Sequence, residues 1–481
     1  MKILISSFTI AKQGGIVQYI HSMIQAFKEL GHDIDIVELA PNRITESAYK
    51  SKFESIKSGE YQRKIVPHSQ SGGYCFDESS GYFFNTYYGY FLPPSNKICV
   101  FDSDAVERWY KLVSDVDIIL WNFMPTKTRE WQKKGTKFDY WWKFFDLPKS
   151  VKQVFLTHDA YFNIRASNVT ALKKKILFLG CAHLAAYQCC SEIGIRRTLL
   201  LNPRYIEKNA SMPVVSFNDR KTDFFAAHMF KPMKHMEELI AAIPYVNKGD
   251  ETYSCMVAGT GIEYSYMTSE DKIKPCYLCS KKRDPNLPDK LDGKISLWNR
   301  ALTFGMDYRG QMSGDDVYKQ LLNTKFAIDP SWATHYAQYC RTHINGFIIE
   351  AMMLGAYPVL RDYRGLDKAN SNVYDPLFES INAVIIPWDA TPKQFAKILK
   401  SAIADMTPKR FLRETKENFQ IVNELFNARK NAEEIIRLCR GGKRLVKAEL
   451  EKGVDSDNVK KISEDIMTNF FGIELPIKWQ N

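Results

Sequence analysis

Gly14 and Gly15, His158 and Asp159, and Cys276 and Cys279 are the residues whose type and spacing speak first to chemistry in this chain. The glycine pair closes a loop between an apolar run, Ile3 to Ser7, and a helical pattern. Glycine lets the backbone approach a ligand closely, and the free N–H groups and dipole of a helix N-terminus favour an anion such as a diphosphate. The loop has neither the lysine of a P-loop nor a full GxGxxG, so it points to phosphate without identifying the carrier; the same pair also suits a tight turn. His158 and Asp159 follow directly on the run Lys152 to Leu156, at the carboxyl edge where open α/β sheets bind ligands, with a turn histidine as the alternative. Cys276-x-x-Cys279 has metal spacing, yet PCYLCSKKRDPNLPDK holds no second pair and a structural zinc takes four ligands. The ten cysteines read as reduced thiols.

The elements that must position these groups alternate strand and helix. Ile16, Tyr19, Ile20, Met23, Ile24 and Phe27 mark one face of a helix after Gly15, Gly31 stops it, and Ile34 to Leu39 is the next strand. Further strands fall at Val116 to Trp121 and Lys152 to Leu156, and a unit ends at Thr198 to Leu201. Between Ser47 and Cys99 the period breaks down and aromatics crowd in, from Tyr74 and Phe76 to Tyr90 and Phe91; this insertion is either an acceptor-binding element or a satellite hydrophobic cluster. After Pro213 the alternation restarts with a strand at Asp223 to Ala227, a helix through Met236 to Ile243, and strands at Ser254 to Ala258 and Met306 to Gly310. Helices follow at Pro392 to Met406 and Lys409 to Arg440. The expectation is an α/β protein of two Rossmann-like, doubly wound domains. The first covers 1–205, with an insertion at about 47–99, and is completed by the tail 441–481; the second covers 206–440, with a basic insertion at about 263–299.

The 481 residues suffice for two or three full cores, and 45% hydrophobic content is that of a globular chain. No run approaches eighteen apolar residues and the N-terminus enters a strand pattern at once, so a cytoplasmic protein without an integral membrane segment is expected. The net charge of +11 includes clusters at Lys133-Lys134, Lys173 to Lys175, Arg196-Arg197, Lys281 to Arg283 and Arg440 to Lys447. Dispersed among aromatics, they suit a groove that tracks phosphates and stacks a base, an anionic membrane face, or a solvated surface.

Five blocks, read in order, resemble the retaining GT-B glycosyltransferases, the group that includes glycogen synthase: GGIVQYIHSMIQAFKELGHDIDIV, the strand into THD at 157–159, CMVAGTGIE, YRGQMSGDDVYKQLLNTKFAIDPSW and IIEAMMLGAYPVLRDYRG. The resemblance implies two Rossmann-like domains facing a central cleft, a UDP-sugar donor held mainly by the second, and no obligatory cofactor. Gly14, Gly15, Lys231, Lys234, Gly259, Arg341, Thr342, His343 and Glu350 are thereby donor-side positions, and His158 and Asp159 would hold hydroxyls or assist proton removal. Two departures stand out. Of two glutamates usually separated by seven residues, the second matches Glu350 while the first falls on Thr342. Lys234 stands where a diphosphate-clamping lysine is expected, but the arginine position falls on His228 or Met229, leaving Lys231 or Arg341 to supply charge. Such roles are physically apt, because fixed cations stabilise charge developing on a leaving diphosphate and a carboxylate accepts from both hydroxyls of a ribose diol. Glu350 could equally be a helix-opening carboxylate on its own dipole. Asp102-Ser-Asp104 and Asp455-Ser-Asp457 each precede a helical pattern and read as caps, so no metal site is expected.

The size, the Lys/Phe/Tyr-rich composition and the glycine loop, HD pair and EAMMLGAYPV segment are similar to phage transferases that glycosylate hydroxymethylated cytosine in duplex DNA. By that resemblance the acceptor would be 5-hydroxymethylcytosine in double-stranded DNA, flipped into an aromatic, basic cleft to which Lys133, Lys134, Arg196 and Arg197 contribute. Transfer to a cell-surface glycan or lipid precursor is the alternative. Thr342 at the first glutamate position motivates a third, a non-catalytic nucleotide-sugar-binding protein.

Overall fold

The computed structural model describes residues 1–7, 15–40, 74–77, 82–85, 96–99, 102–122, 142–157, 174–182, 187, 196–228, 230, 234–249, 252–259, 297–310, 312, 314–331, 344–362, 380–387 and 389–442. The first half runs β1 (Lys2–Ser7), α1 (Gly15–Glu29), β2 (Asp33–Ala40), β3 (Tyr74–Asp77), β4 (Tyr82–Asn85), β5 (Asn96–Cys99), α2 (Ala105–Val113), β6 (Ile118–Trp121), α3 (Trp142–Phe145), β7 (Lys152–Thr157), β8 (Ile176–Cys181) and β9 (Arg197–Leu199). The second runs β10 (Thr222–Ala227), α4 (Met236–Val246), β11 (Cys255–Ala258), α5 (Leu297–Thr303), β12 (Met306–Tyr308), α6 (Gly314–Leu322), β13 (Thr324–Asp329), α7 (Gly346–Met353), β14 (Tyr357–Asp362), β15 (Val384–Pro387), α8 (Pro392–Asp405), α9 (Pro408–Leu425) and α10 (Ala428–Cys439).

The strands form two all-parallel sheets, ordered β5-β2-β1-β6-β7-β8-β9 and β12-β11-β10-β13-β14-β15, with β3 and β4 paired antiparallel apart from them. Each order runs outward from a central pair and reverses there, between β1 and β6 in one sheet and between β10 and β13 in the other. This is the doubly wound topology, and it confirms the α/β class.

Strands covered by helices on both faces must be apolar on both, and β6, IILW, is buried at every position. Alternate residues of β1 feed two cores: Leu4 joins Trp109, Trp121, Phe144 and Phe155, while Ile3 and Ile5 join Tyr19, Met23 and Phe27 of α1. In the second sheet Phe224 and Ala226 face α4, α5 and α8, whereas Phe225 faces α7 and the end of α9. Helix α1 ends as expected at Gly31, whose φ of +75° lets His32 N–H bond the Phe27 carbonyl at 3.0 Å and Gly31 N–H the Lys28 carbonyl at 3.0 Å.

Four expectations need correction. Residues 96–99, placed in the aromatic insertion, form an edge strand of the first sheet by pairing with β2. The helix expected over Lys409 to Arg440 is two, because Asn427 takes an extended conformation and caps α10 through Arg429 N–H. Ala432, Ile435 and Ile436 of α10 then pack into the α1 core, so the chain returns to the first half near Phe426, not at residue 441. Asp104 does occupy an N-cap position, of α2, but its side chain does not cap; Asp102 and Asp104 instead pair with Arg108 at 2.9 and 3.0 Å. The rest of the tail beyond 442, Asp455 and Asp457, and Cys276 and Cys279 lie outside the described residues.

Candidate active site

In a doubly wound sheet the two central crossovers leave on opposite faces, which opens a crevice at the carboxyl ends of the central strands. In the second sheet His228 follows β10, Gly259 follows β11, and the segment from Asp329 to Glu350 follows β13. His228 is buried, with Nε2 3.0 Å from the Ile328 carbonyl and 3.6 Å from Asp329 Oδ1, and its ring meets Phe347 of α7 edge-on at 4.9 Å. It thus spans the two strands at the reversal point. Asp329 accepts from Ser331 N–H at 3.2 Å and from the Asn345 side-chain amide, and Asn345 Oδ1 caps α7 by accepting from Ile348 N–H at 3.1 Å.

Gly259 has φ +127°, and a Cβ there would stand 1.9 Å from the His228 carbonyl oxygen. Only glycine lets these strand ends come so close. Its N–H donates to the Gly310 carbonyl at 2.7 Å and its carbonyl accepts from the Tyr308 hydroxyl at 2.8 Å. Gly259, a donor-side position by resemblance, thus has its N–H and carbonyl bonded within the protein and supplies the close approach of the strand ends.

Lys234, half-buried, precedes a histidine that sequence reasoning passed over. His235 is fully buried in the left-handed region at φ +47°, with Nδ1 3.5 Å from Glu237 Oε1 and 3.3 Å from Glu238 Oε1. Glu238 pairs in turn with Arg361 near the end of β14, whose Nη2 donates to the Ala390 carbonyl at 3.2 Å. Burial pushes the His235 imidazolium down, but the hydrogen bonds and charges of Glu237 and Glu238 outweigh it and hold the group above the ordinary histidine value. A non-glycine residue at positive φ, clamped by buried charge, stands at the N-cap of α4 directly after Lys234.

Glu350 lies in the second turn of α7 rather than opening it, 4% exposed. Its Oε1 accepts from Arg204 Nε at 2.8 Å. Burial raises its pKa, the charge and hydrogen bond of Arg204 lower it, and the net result is above the ordinary glutamate value. An ionised carboxylate there is held at a cost to stability, a pattern found at functional sites.

The first sheet offers less. Gly15 is the first residue of α1, so its N–H is one of a helix N-terminus, as expected. Arg197 opens β9, the outer strand, about 19 Å from β1 at ordinary strand spacing; its guanidinium lies 4.3 Å over the Tyr187 ring. Arg196 is exposed and donates to the Gly442 carbonyl at 2.6 Å. Gly14, Lys133, Lys134, His158, Asp159, Lys231, Arg341, Thr342 and His343 lie outside the described residues. Among the described residues no group of three or more His, Cys, Asp or Glu is arranged to hold a metal, and no helix is long and apolar enough to cross a membrane.

No family model matches the sequence, and no curated protein matches it significantly. Solved structures do match the fold. The chain is similar to S. aureus TarM, in a variant complexed with fondaparinux, alpha-GlcNAc-glycerol and UDP, at 13% identity and a TM-score of 0.52 over 91% of this chain and 99% of that one. It is similar to the pneumococcal O-GlcNAc transferase GtfA, in complex with UDP and GlcNAc, at 11% identity and a TM-score of 0.52 over 92% and 99%. It is also similar to an alpha-glucosyltransferase in complex with UDP and a 13-mer DNA, at 10% identity and a TM-score of 0.51 over 92% and 100%. Two parallel, doubly wound sheets, matched by these structures over 91–92% of the chain, define the fold as GT-B.

Proposed function

We propose that this protein is a glycosyltransferase that moves a sugar from a UDP-sugar onto a hydroxymethylated base, 5-hydroxymethylcytosine, in double-stranded DNA, with retention of configuration. One observation carries the donor half of the proposal: Lys234 and Glu350 both belong to segments leaving the two strands where the second sheet reverses. A cation and a carboxylate at that crevice suit a nucleoside diphosphate, Lys234 for the charge on the leaving group and Glu350 for the ribose diol. Lys231, Arg341, Thr342 and His343, which flank these segments in sequence, belong to the same reading, with Gly14 and Gly15 supplying helix N–H groups from the other half. His158 and Asp159 would hold the acceptor or sugar hydroxyls and assist proton removal. No carboxylate is assigned as a covalent nucleophile; the leaving phosphate would help deprotonate the acceptor on the same face.

The acceptor half draws on the likeness to a DNA-bound alpha-glucosyltransferase and on the charge of +11. Lys133, Lys134, Arg196 and Arg197 are proposed to meet phosphates, with the described pair at the sheet's outer edge. TarM, solved with alpha-GlcNAc-glycerol, and the pneumococcal O-GlcNAc transferase are as similar in fold and support a second reading, transfer to a cell-surface glycan or lipid precursor.

A transfer assay separates them. The protein is incubated with labelled UDP-sugars and DNA carrying cytosine or hydroxymethylcytosine, and nucleosides are weighed by mass spectrometry. A hexose or pentose added only to the hydroxymethylated nucleoside supports the DNA reading. Sugar nucleotide hydrolysis without a DNA product moves the acceptor to glycans, and neither reaction with any donor refutes the enzyme.

A further inference from the structure

Arg204 lies in the segment that leads from the first sheet to the second, and both crossings between the halves meet on it. Its N–H donates to the Phe426 carbonyl at 2.7 Å, and its carbonyl accepts from Ala428 N–H at 2.8 Å, so the outgoing and returning chains are stitched together at this residue. Its side chain, only 3% exposed, reaches into both halves. Nη2 donates to Gln18 Oε1 of α1 at 2.9 Å and Nε to Glu350 Oε1 of α7 at 2.8 Å, while Nη1 donates to the Pro203 carbonyl at 3.0 Å and Asn202 Oδ1 at 3.3 Å. Helix α7 is cut to admit it: a Cβ on Gly346 would stand 1.9 Å from Nη2 and 3.1 Å from Cζ.

We propose that Arg204 is the positioning residue of the nucleotide site: it fixes the Glu350 carboxylate through one oxygen, leaving the other to meet a ribose hydroxyl, and so sets discrimination for a ribonucleotide. The inference rests on the proposed donor reading. Among the described residues Arg204 is the one partner of that carboxylate, and it engages Oε1 alone. A guanidinium is suited to this because its planar fork spreads several donors at fixed angles, holding Glu350, Gln18 and the linker at once. Stability alone is a weak reason for the pair, since a buried ion pair seldom outperforms well-packed apolar side chains. A cleared glycine and an inter-half network around one carboxylate are instead what a preoriented ligand group requires.

The test is calorimetric binding of UDP and of 2′-deoxy-UDP to the full-length protein and its variants. The wild-type protein is expected to prefer UDP by about tenfold, the loss of one hydrogen bond to a charged group. Arg204→Gln should bring the ratio close to one, whereas Gln18→Ala, which spares the Glu350 contact, should keep it. Where Arg204→Gln fails to fold, Gly346→Ala displaces the guanidinium without deleting it and should likewise lower the ratio. A folded Arg204→Gln, or Gly346→Ala, with the wild-type ratio overturns the inference and leaves the donor reading standing. Wild-type protein that binds neither nucleotide, or both equally, overturns the inference together with the ribose role of Glu350.

Discussion

Among the described residues the two sheets share a strand order but differ in the chemistry of their carboxyl edges. At the described edge of the first sheet the buried polar side chains are mostly neutral, Ser6, Ser7, Asn122 and Thr157, with Glu38 the charged exception. The second edge is built from buried ionic groups: His228 beside Asp329, His235 between Glu237 and Glu238, Glu238 on Arg361, and Arg204 on Glu350. Topology alone therefore makes a crevice, and it does not decide what the crevice binds. Buried charges are costly to assemble and perturbed groups cluster at functional sites, which agrees with the donor role proposed for the second edge.

The sharpest way to break this contrast is at Glu350. Glu350→Ala should lower kcat/KM for transfer by about ten- to a hundredfold through one or two lost hydrogen bonds to the ribose diol, and it should destabilise the fold by about 3 kcal/mol because Arg204 is left buried without its partner. Steady-state kinetics and denaturant unfolding read the two effects separately. Glycines give a second comparison. Gly259→Ala meets both a forbidden φ and the His228 carbonyl and is expected to cost about 3 kcal/mol, whereas Gly31→Ala, at φ +75° with nothing within 4 Å of its Cβ, should cost about 1 kcal/mol.

The pH dependence of stability sharpens the contrast further. The folded value of His235 lies above its unfolded one, so its contribution is fully present below about pH 6.5 and is lost as pH rises through the folded value. His235→Asn, a residue that tolerates the left-handed region, should flatten that part of the profile, as measured by melting temperature from pH 6 to 9. The smallest effect is expected at the outer edge. Charge reversal at Arg196 should weaken DNA binding only a few-fold and reduce its salt dependence by about one phosphate, with donor hydrolysis unchanged.

Local pattern carried the parts of the fold that local physics determines. The apolar stripe of α1 and the stop at Gly31 are visible in sequence because helical period and positive φ leave marks on single residues. β8, ILFLGC, has no alternation to separate it from other apolar runs, and residues 96–99 sat beyond an aromatic stretch that hid the return to the sheet. The break at Asn427 was missed because an amphipathic pattern continues through it; only the demand to cover the first sheet turns the chain there. Lys234 and Glu350, the proposed donor residues, are picked out by position in a motif, whereas Arg204, 146 residues from Glu350, is marked by nothing local. His235 left no signal either, since nothing in KHMEE announces a left-handed histidine.

The most direct measurement is a crystal structure with UDP bound. The diphosphate is expected beyond the carboxyl ends of β10 and β13, beside Lys234 and the N-terminal side of α7, with the ribose hydroxyls on Glu350. UDP seated at the carboxyl edge of the first sheet, with Glu350 still bonded only to Arg204, would contradict it.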